Sequence, residues 1–216
     1  SANSEYFNVT LTGVSNATIS IANGQGQIDD NDNPPTMFIS DSSGNEGDTI
    51  SFTITLSGES ENNIDFDYET QDGTAIANGD YGSQTVSGAQ IAAGSITYTL
   101  NVTLATDNIY ESTENFNITI TSTTATSAGS DLNGVGSITD INGIPSLFTA
   151  DASAITEGAT SQFVITLTHL SDTDITFNWS TIDGTARNED TDTDYYKAVS
   201  VPVTISALSD SITLSV

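Results

Sequence analysis

The densest oxygen chemistry in the chain lies in Asp107-Asn108-Ile109-Tyr110-Glu111-Ser112-Thr113-Glu114, where three carboxylates fall within eight residues. Two carboxylates ~5 Å apart repel by roughly 3 kcal/mol at an effective dielectric of ~20. A folded loop holding three of them, with more arriving from elsewhere, needs countercharge. A hard divalent cation supplies it, and Ca²⁺, which takes six to eight oxygens at about 2.3–2.6 Å, is the natural candidate. The alternative is a solvated acidic turn with its side chains splayed into water. Alternating apolar runs flank the stretch at 95–104 and 116–121. It is therefore expected to be the loop joining two strands of one sandwich.

Composition narrows the partners. Of 216 residues, 29 are acidic and only Arg187 and Lys197 are basic, for a formal charge of −27. That balance excludes ordinary nucleic-acid binding, which needs Lys and Arg on phosphates, and disfavours anionic membrane surfaces. No run is long and apolar enough to span a bilayer as a helix, so no membrane insertion is expected, and no signal-peptide pattern opens the sequence. Without cysteine, neither a disulfide nor a thiolate metal site can form. An all-β chain lacking disulfides needs another staple, and bound cations can serve. Abundant Asp and Thr with almost no Lys suit an extracellular or cell-surface setting in Ca²⁺-rich water.

The sequence repeats itself about every 110 residues. Ser4-Glu5-Tyr6-Phe7-Asn8-Val9-Thr10 matches Thr113-Glu114-Asn115-Phe116-Asn117-Ile118-Thr119, and Gly24-Gln25-Gly26-Gln27-Ile28 matches Gly134-Val135-Gly136-Ser137-Ile138. Phe38 and Asp41 match Phe148 and Asp151. Glu46-Gly47 recurs as Glu157-Gly158, Asp72-Gly73-Thr74-Ala75 as Asp183-Gly184-Thr185-Ala186, and Asp80-Tyr81 as Asp194-Tyr195. The chain thus holds the end of one module (1–33), a whole module (34–143) and the start of a third (144–216). The junctions, 29–35 and 140–145, are acidic or amide-rich and then proline, which stiffens the exit.

Within the whole module, strands are expected at 37–40, 49–57, 63–70, 85–91, 96–104, 116–120 and 135–141. Short strands with turns every 8–12 residues argue tandem immunoglobulin-like antiparallel β-sandwiches, about seven strands per module, with one complete and two partial modules. Phe52, Phe66, Tyr98 and Phe116 are expected in the core, as is Trp179, which stands where Tyr68 does.

Taken as an ordered set, Asp72-Gly73-Thr74-Ala75, Gly79-Asp80-Tyr81, the 107–116 stretch and the acidic end at Asp140 resemble the Calx-β family. The resemblance covers essentially the whole chain. It implies a seven-strand sandwich binding several Ca²⁺ ions at one tip, as in sodium–calcium exchangers, integrin-type extracellular proteins and large bacterial adhesins. Carried over by position, the ligands in the whole module are Glu46, Asp80, Asp107, the Ile109 backbone oxygen, Glu111, Glu114 and Asp140. The family's terminal aspartate run is reduced here to Thr139-Asp140-Ile141-Asn142, which puts one ion in doubt. Asp30 and Asp32 keep the acidic end of the first copy. There Glu5 corresponds to Glu114, but Ala2 stands where Glu111 would be, so that site is expected to be depleted. In the third copy Glu157 and Asp194 match Glu46 and Asp80.

Other features carry less. Asp72 and Asp183 are expected to brace their Asp-Gly turns through the local backbone, and Asp190 and Asp192 to be solvated. Asn-x-Ser/Thr triplets at Asn8, Asn16, Asn101, Asn117 and Asn178 matter only in a host that glycosylates. His169 is the sole histidine, no Ser-Asp partnership surrounds it, and nothing marks a sugar cleft between paired carboxylates, so no enzyme is expected. The partial modules have two readings. They are a cut through a longer tandem array, or residues 1–33 of one copy complete residues 144–216 of the next, head to tail. Two repeats of about 110 residues come close to the chain's 216, which favours the second. The leading function is a structural module of an extracellular fibre or adhesin stiffened by Ca²⁺, with a cell-surface or glycan receptor left open. The alternative is a Ca²⁺ sensor regulating a transporter.

Overall fold

In Thr49–Leu56 every second side chain is apolar, and those side chains are the buried ones, as a strand with one face on a core requires. The same period builds the whole chain. The computed structural model describes residues 4–29, 31, 33–189 and 192–216. Asp30, Asp32 and Asp190 lie outside the described residues. Every regular element described is a strand, and no described helix is long and apolar enough to cross a membrane.

A hairpin, β1 (Glu5–Thr10) and β2 (Asn23–Ile28), comes first. The central sandwich follows: β3 (Thr36–Ile39), β4 (Ser42–Asn45), β5 (Thr49–Leu56), β6 (Ile64–Asp72), β7 (Thr85–Ile91), β8 (Thr97–Thr103), β9 (Ile109–Tyr110), β10 (Glu114–Thr123), β11 (Thr126–Asp131) and β12 (Asn133–Thr139). One sheet has the order β4-β12-β10-β6-β7 and the other β11-β3-β5-β8. Most pairs are antiparallel; β4 on β12 and β11 on β3 are parallel edges. Last come β13 (Leu147–Thr149), β14 (Gln162–Leu167), β15 (Leu170–Ser171), β16 (Ile175–Trp179), β17 (Asn188–Glu189), β18 (Asp192–Thr193), β19 (Val201–Ile205) and β20 (Ser211–Ser215). They pair as β13-β14-β20, β16-β19 and β17-β18, while β15 joins β9.

The central core is closed. Met37, Phe52, Ile54 and Val102 from one sheet meet Phe66, Phe116 and Ile118 from the other, all at most 1% exposed. Phe116 is the hub. It stacks on Tyr81 at 4.1 Å and meets Phe52 edge-on at 6.1 Å. Its ring also occupies the space a Cβ at Gly136 would need, which is why that strand position is glycine. Tyr98 is half-buried, edge-on to Phe66 at 5.2 Å.

The repeat is visible in register. Phe7 faces Gly26 on β2 as Phe116 faces Gly136 on β12, and the Phe7 ring fills the Gly26 Cβ position in the same way. Thr10 donates to the Asn23 side chain at 3.0 Å, and Thr119 to that of Asn133 at 3.1 Å. Yet Phe7 is 53% exposed where Phe116 is 0%. The third unit is also open. Phe163, Trp179 and Tyr195 line a groove of about 500 Å³ with Ile165 and Leu214, and only a small core closes beneath it.

Candidate metal centre

Each acidic residue of the whole-module set is delivered by a specific backbone device. Glu46 follows β4, and its N–H donates to the Thr139 carbonyl at 3.0 Å. Gly47 then turns the chain at φ 80°, as Gly158 does at φ 83° in the third unit. Those left-handed values explain why Glu-Gly recurs. Asp80 precedes the buried Tyr81, whose hydroxyl donates to Asp72 at 2.7 Å. Its Oδ2 accepts the Ile76 N–H at 2.6 Å, and its carbonyl accepts the Ala105 N–H at 2.8 Å. Asp107 accepts the Ile109 N–H at 2.8 Å. Asp140 accepts the Glu111 N–H at 3.0 Å and the Asn142 N–H at 2.6 Å.

Asp72 does not act as expected. Its Oδ1 accepts from Ala77 N–H and the Tyr81 hydroxyl, bracing the whole 72–81 loop rather than the adjacent turn. Asp183 takes the equivalent hydroxyl from Tyr195 and the Asn188 N–H at 3.3 Å. The folded loops offer better donors five and nine residues on from Asp72, and five and twelve residues on from Asp183.

These devices gather the acids at one end of the sandwich. One oxygen each from Glu46, Asp107 and Glu111 lies within 4.8 Å of the other two, and the same holds for Asp80, Glu111 and Glu114. Glu111 belongs to both groups, so five carboxylates form one cluster. Glu46 is 9% exposed, and its Oε2 is buried with no hydrogen-bond partner. A buried, unpartnered carboxylate oxygen costs several kcal/mol unless something else satisfies it. The electrostatic surroundings agree. Burial, then the charges of Asp107 and Asp140, raise the Glu46 carboxyl. Burial and then Asp107 and Glu114 push Glu111 up to about 7. Burial, the Asp80 charge and a hydrogen bond to Asp80 push Glu114 up to about 7. The charged neighbours that raise these three groups most are all acidic. The two basic side chains act instead on Asp183. Hard oxygen donors of this number and charge fit a Ca²⁺-class ion.

Two positions differ from a simple ligand reading. The Ile109 carbonyl accepts the Asn142 side-chain amide at 2.8 Å, so Asn142 competes for the oxygen that the resemblance offers. Asp140 stands outside both close groups but acts on Glu46 and holds the Glu111 backbone. Glu5, Glu157 and Asp194 are exposed, and among the described residues none joins a close acidic group. Asp194 accepts the Arg187 N–H at 2.9 Å, matching the local role of Asp80.

One acid was not expected here. β15 of the third unit pairs in parallel with β9, Leu170 opposite Ile109 and Ser171 opposite Tyr110. The Asp172 N–H donates to the Tyr110 carbonyl at 3.0 Å, and the Asp172 charge bears on Glu114. His169 joins the same junction, its Nε2 2.5 Å from the Gly143 carbonyl oxygen. The recurring acid at offset 111, Glu61 and Asp172, is the sequence signal that could have found it.

No curated protein matches the chain. Among solved structures, it is similar to the calcium binding domain CBD12 of CALX1.1, with 17% identity, TM-score 0.45, 83% of this chain and 74% of that one. It is similar to CBD12 of CALX1.2, with 18% identity, TM-score 0.42, 83% and 73%. It is also similar to the apo-form Calx CBD1 domain, with 19% identity, TM-score 0.43, 50% and 99%. The sequence profile of the Calx-beta domain matches twice, over residues 30–145 and 140–216. Matching nearly the full length in two consecutive copies, the chain belongs to the Calx-beta domain family.

Proposed function

We infer that this chain is a non-catalytic Ca²⁺-binding structural element of an extracellular fibre or adhesin. The observation that carries this is the buried Glu46 carboxylate with an unpartnered oxygen among four further acids. An ion there offsets the burial and the acidic neighbours that together lift Glu111 and Glu114, and it draws together loops that belong to both sheets. Acidity without a basic surface, together with tandem modules, favours a spacer or adhesive array over a nucleic-acid or membrane partner. Calorimetric titration of EDTA-stripped protein with CaCl₂ is expected to give saturable binding. In Glu46→Gln the affinity is expected to fall at least tenfold, with the fold retained. Absence of saturable heat in the unaltered protein up to millimolar Ca²⁺ defeats this reading.

The neighbour along such an array is a second copy. The β1–β2 hairpin carries the register and the Phe-on-Gly packing of β10–β12, but exposes Tyr6, Phe7 and Val9. The groove between Phe163, Trp179 and Leu214 lies where a partner of that type would complete a sandwich, as Phe116 does in the central one. Complementation removes exposed apolar surface and open strand edges together. Light scattering coupled to gel filtration is expected to show head-to-tail oligomers growing with concentration, and Phe7→Asp to reduce them to monomer. A concentration-independent monomer in the unaltered protein overturns the assembly.

A further inference from the structure

The last residues of β6, Thr70, Gln71 and Asp72, take their ladder partners from β10 and not from β7. The third unit carries the same segment without such a partner. β16 ends at Trp179, short of Asp183, the counterpart of Asp72, and among the described strands it pairs with β19 alone. The segment beyond it is nonetheless set as a strand edge. Thr181 N–H donates to the Ala198 carbonyl at 3.0 Å, and Thr181 Oγ1 accepts the Ala198 N–H at 2.9 Å. Thr70 makes the same two bonds with Gln84, both at 2.9 Å. Gly184 marks the missing neighbour. At its counterpart Gly73 a Cβ would lie 2.4 Å from the Asn115 carbonyl oxygen of β10. At Gly184 a Cβ would meet nothing within 4 Å, and the backbone is not left-handed. Neither its conformation nor its neighbours within the chain call for glycine, whereas close approach of another backbone does.

The rings agree. Phe116 packs on Tyr81 and Phe52, and their counterparts Tyr195 and Phe163 both line the third unit's groove. Tyr195 is already aimed by its hydroxyl bond to Asp183, as Tyr81 is by Asp72. β1 fits the gap, with the β10 register on β2, Phe7 at the Phe116 position and no described strand on its second edge. We propose that residues 180–186 are the acceptor edge for β1 of a second copy, in the one antiparallel register that sets Phe7 opposite Asp183 and lays the Tyr6 carbonyl against Gly184. The Phe7 ring then stacks on Tyr195, and Val9 follows opposite Thr181 as Ile118 does opposite Thr70. Tyr6 N–H meets the Thr185 hydroxyl and its carbonyl meets the Ala186 N–H, as Asn115 does with Thr74 and Ala75 at 2.9 Å each. A slip of one residue would turn Phe7 and Val9 outward. Charge favours the same pairing. Arg187 and Lys197, the only basic residues in a chain of net charge −27, both act on Asp183, and the incoming hairpin carries Glu5 and Asp29.

This deepens the head-to-tail assembly and rests on it, and the tests separate the two. Gly184→Val puts a side chain into space that is open in the single chain, so its melting temperature at high dilution is expected to stay unchanged. Its association, read by light scattering, is expected to weaken at least tenfold, because the added Cβ meets the Tyr6 carbonyl. The chain has no cysteine, so engineered pairs read the register directly. Asn8 and Ile182, both exposed, fall opposite each other as Asn117 and Gln71 do, within the reach of a disulfide. Mild oxidation of the Asn8→Cys, Ile182→Cys double variant is expected to give covalent dimers and longer species on a non-reducing gel. Thr10→Cys with Ile182→Cys, displaced by two residues to a diagonal of about 7–8 Å, is expected to stay uncrosslinked. Oligomers in the unaltered protein, with Gly184→Val associating as strongly or with the displaced pair crosslinking as well as the aligned one, overturn the register and leave the assembly standing. A monomer at every concentration overturns both.

Discussion

Stripping Ca²⁺ with EDTA at pH 7.5 is expected to lower the melting temperature of the central sandwich by about 10–20 °C. With free Ca²⁺ 100-fold above its Kd, one site adds about 2.7 kcal/mol, and for a domain near 100 residues each kcal/mol moves the midpoint by roughly 4–8 °C. The sign of the pH dependence then separates a cation site from a generic acidic surface. In the metal-free protein the Glu111 and Glu114 carboxyls sit at about 7, above the usual value of 4.5. A carboxyl raised on folding contributes stability that is fully present below about 4.5 and is lost as pH rises through about 7. The EDTA melting temperature is therefore expected to fall between pH 5 and 7.5. Ca²⁺ binds the deprotonated forms, so its affinity rises over the same interval. The gap between the two melting curves should widen with pH. A gap that is absent at pH 7.5, or that narrows as pH rises, contradicts the site.

The reason this site was legible in the sequence is that its members sit in strongly patterned surroundings. Glu46 precedes a glycine that the turn requires at φ 80°. Asp80 precedes a tyrosine that the core requires. Glu111 precedes, and Glu114 opens, the alternating strand that carries Phe116. Each acid is thus tied in sequence to a residue whose packing or backbone demand is visible. Asp172 has no such anchor. It belongs to a polar turn, Ser171-Asp172-Thr173, whose importance arises only when β15 meets β9 of another module, and period-2 patterning carries no information about contacts between modules. The strands that escaped notice have the same cause. Ser42–Asn45 and Thr126–Asp131 contain almost no apolar residue. They are strands because they lie along the edges of formed sheets, in parallel with β12 and β3, and not because of their own alternation.

Replacing Phe116 by alanine is expected to cost the central module about 3–5 kcal/mol, the usual range for emptying a buried aromatic site. The equivalent change in the first hairpin, Phe7→Ala, should leave the melting of the monomeric chain almost unmoved, since that ring is already 53% exposed. The difference between two residues that occupy the same repeat position measures what completing a sandwich contributes. Phe116→Ala is also expected to weaken Ca²⁺ binding, although Phe116 touches no ion. Its ring stacks on Tyr81 at 4.1 Å and an interplanar angle of 12°. Tyr81 holds Asp72 through its hydroxyl, and the peptide before it carries Asp80. With the stack gone, the 72–81 loop loses one wall, and the Asp80 carboxylate must be ordered at the moment of binding. That ordering entropy appears as lost affinity. Tyr81→Phe separates the two contributions: it keeps the stack, removes the hydroxyl bond to Asp72, and should fall between the unaltered protein and Phe116→Ala in both stability and affinity. Titrations run well below each variant's melting temperature keep unfolding out of the comparison. If Phe116→Ala melts several degrees lower yet binds Ca²⁺ as tightly as the unaltered protein, the loop is held by its own hydrogen bonds and the coupling of core to site is wrong.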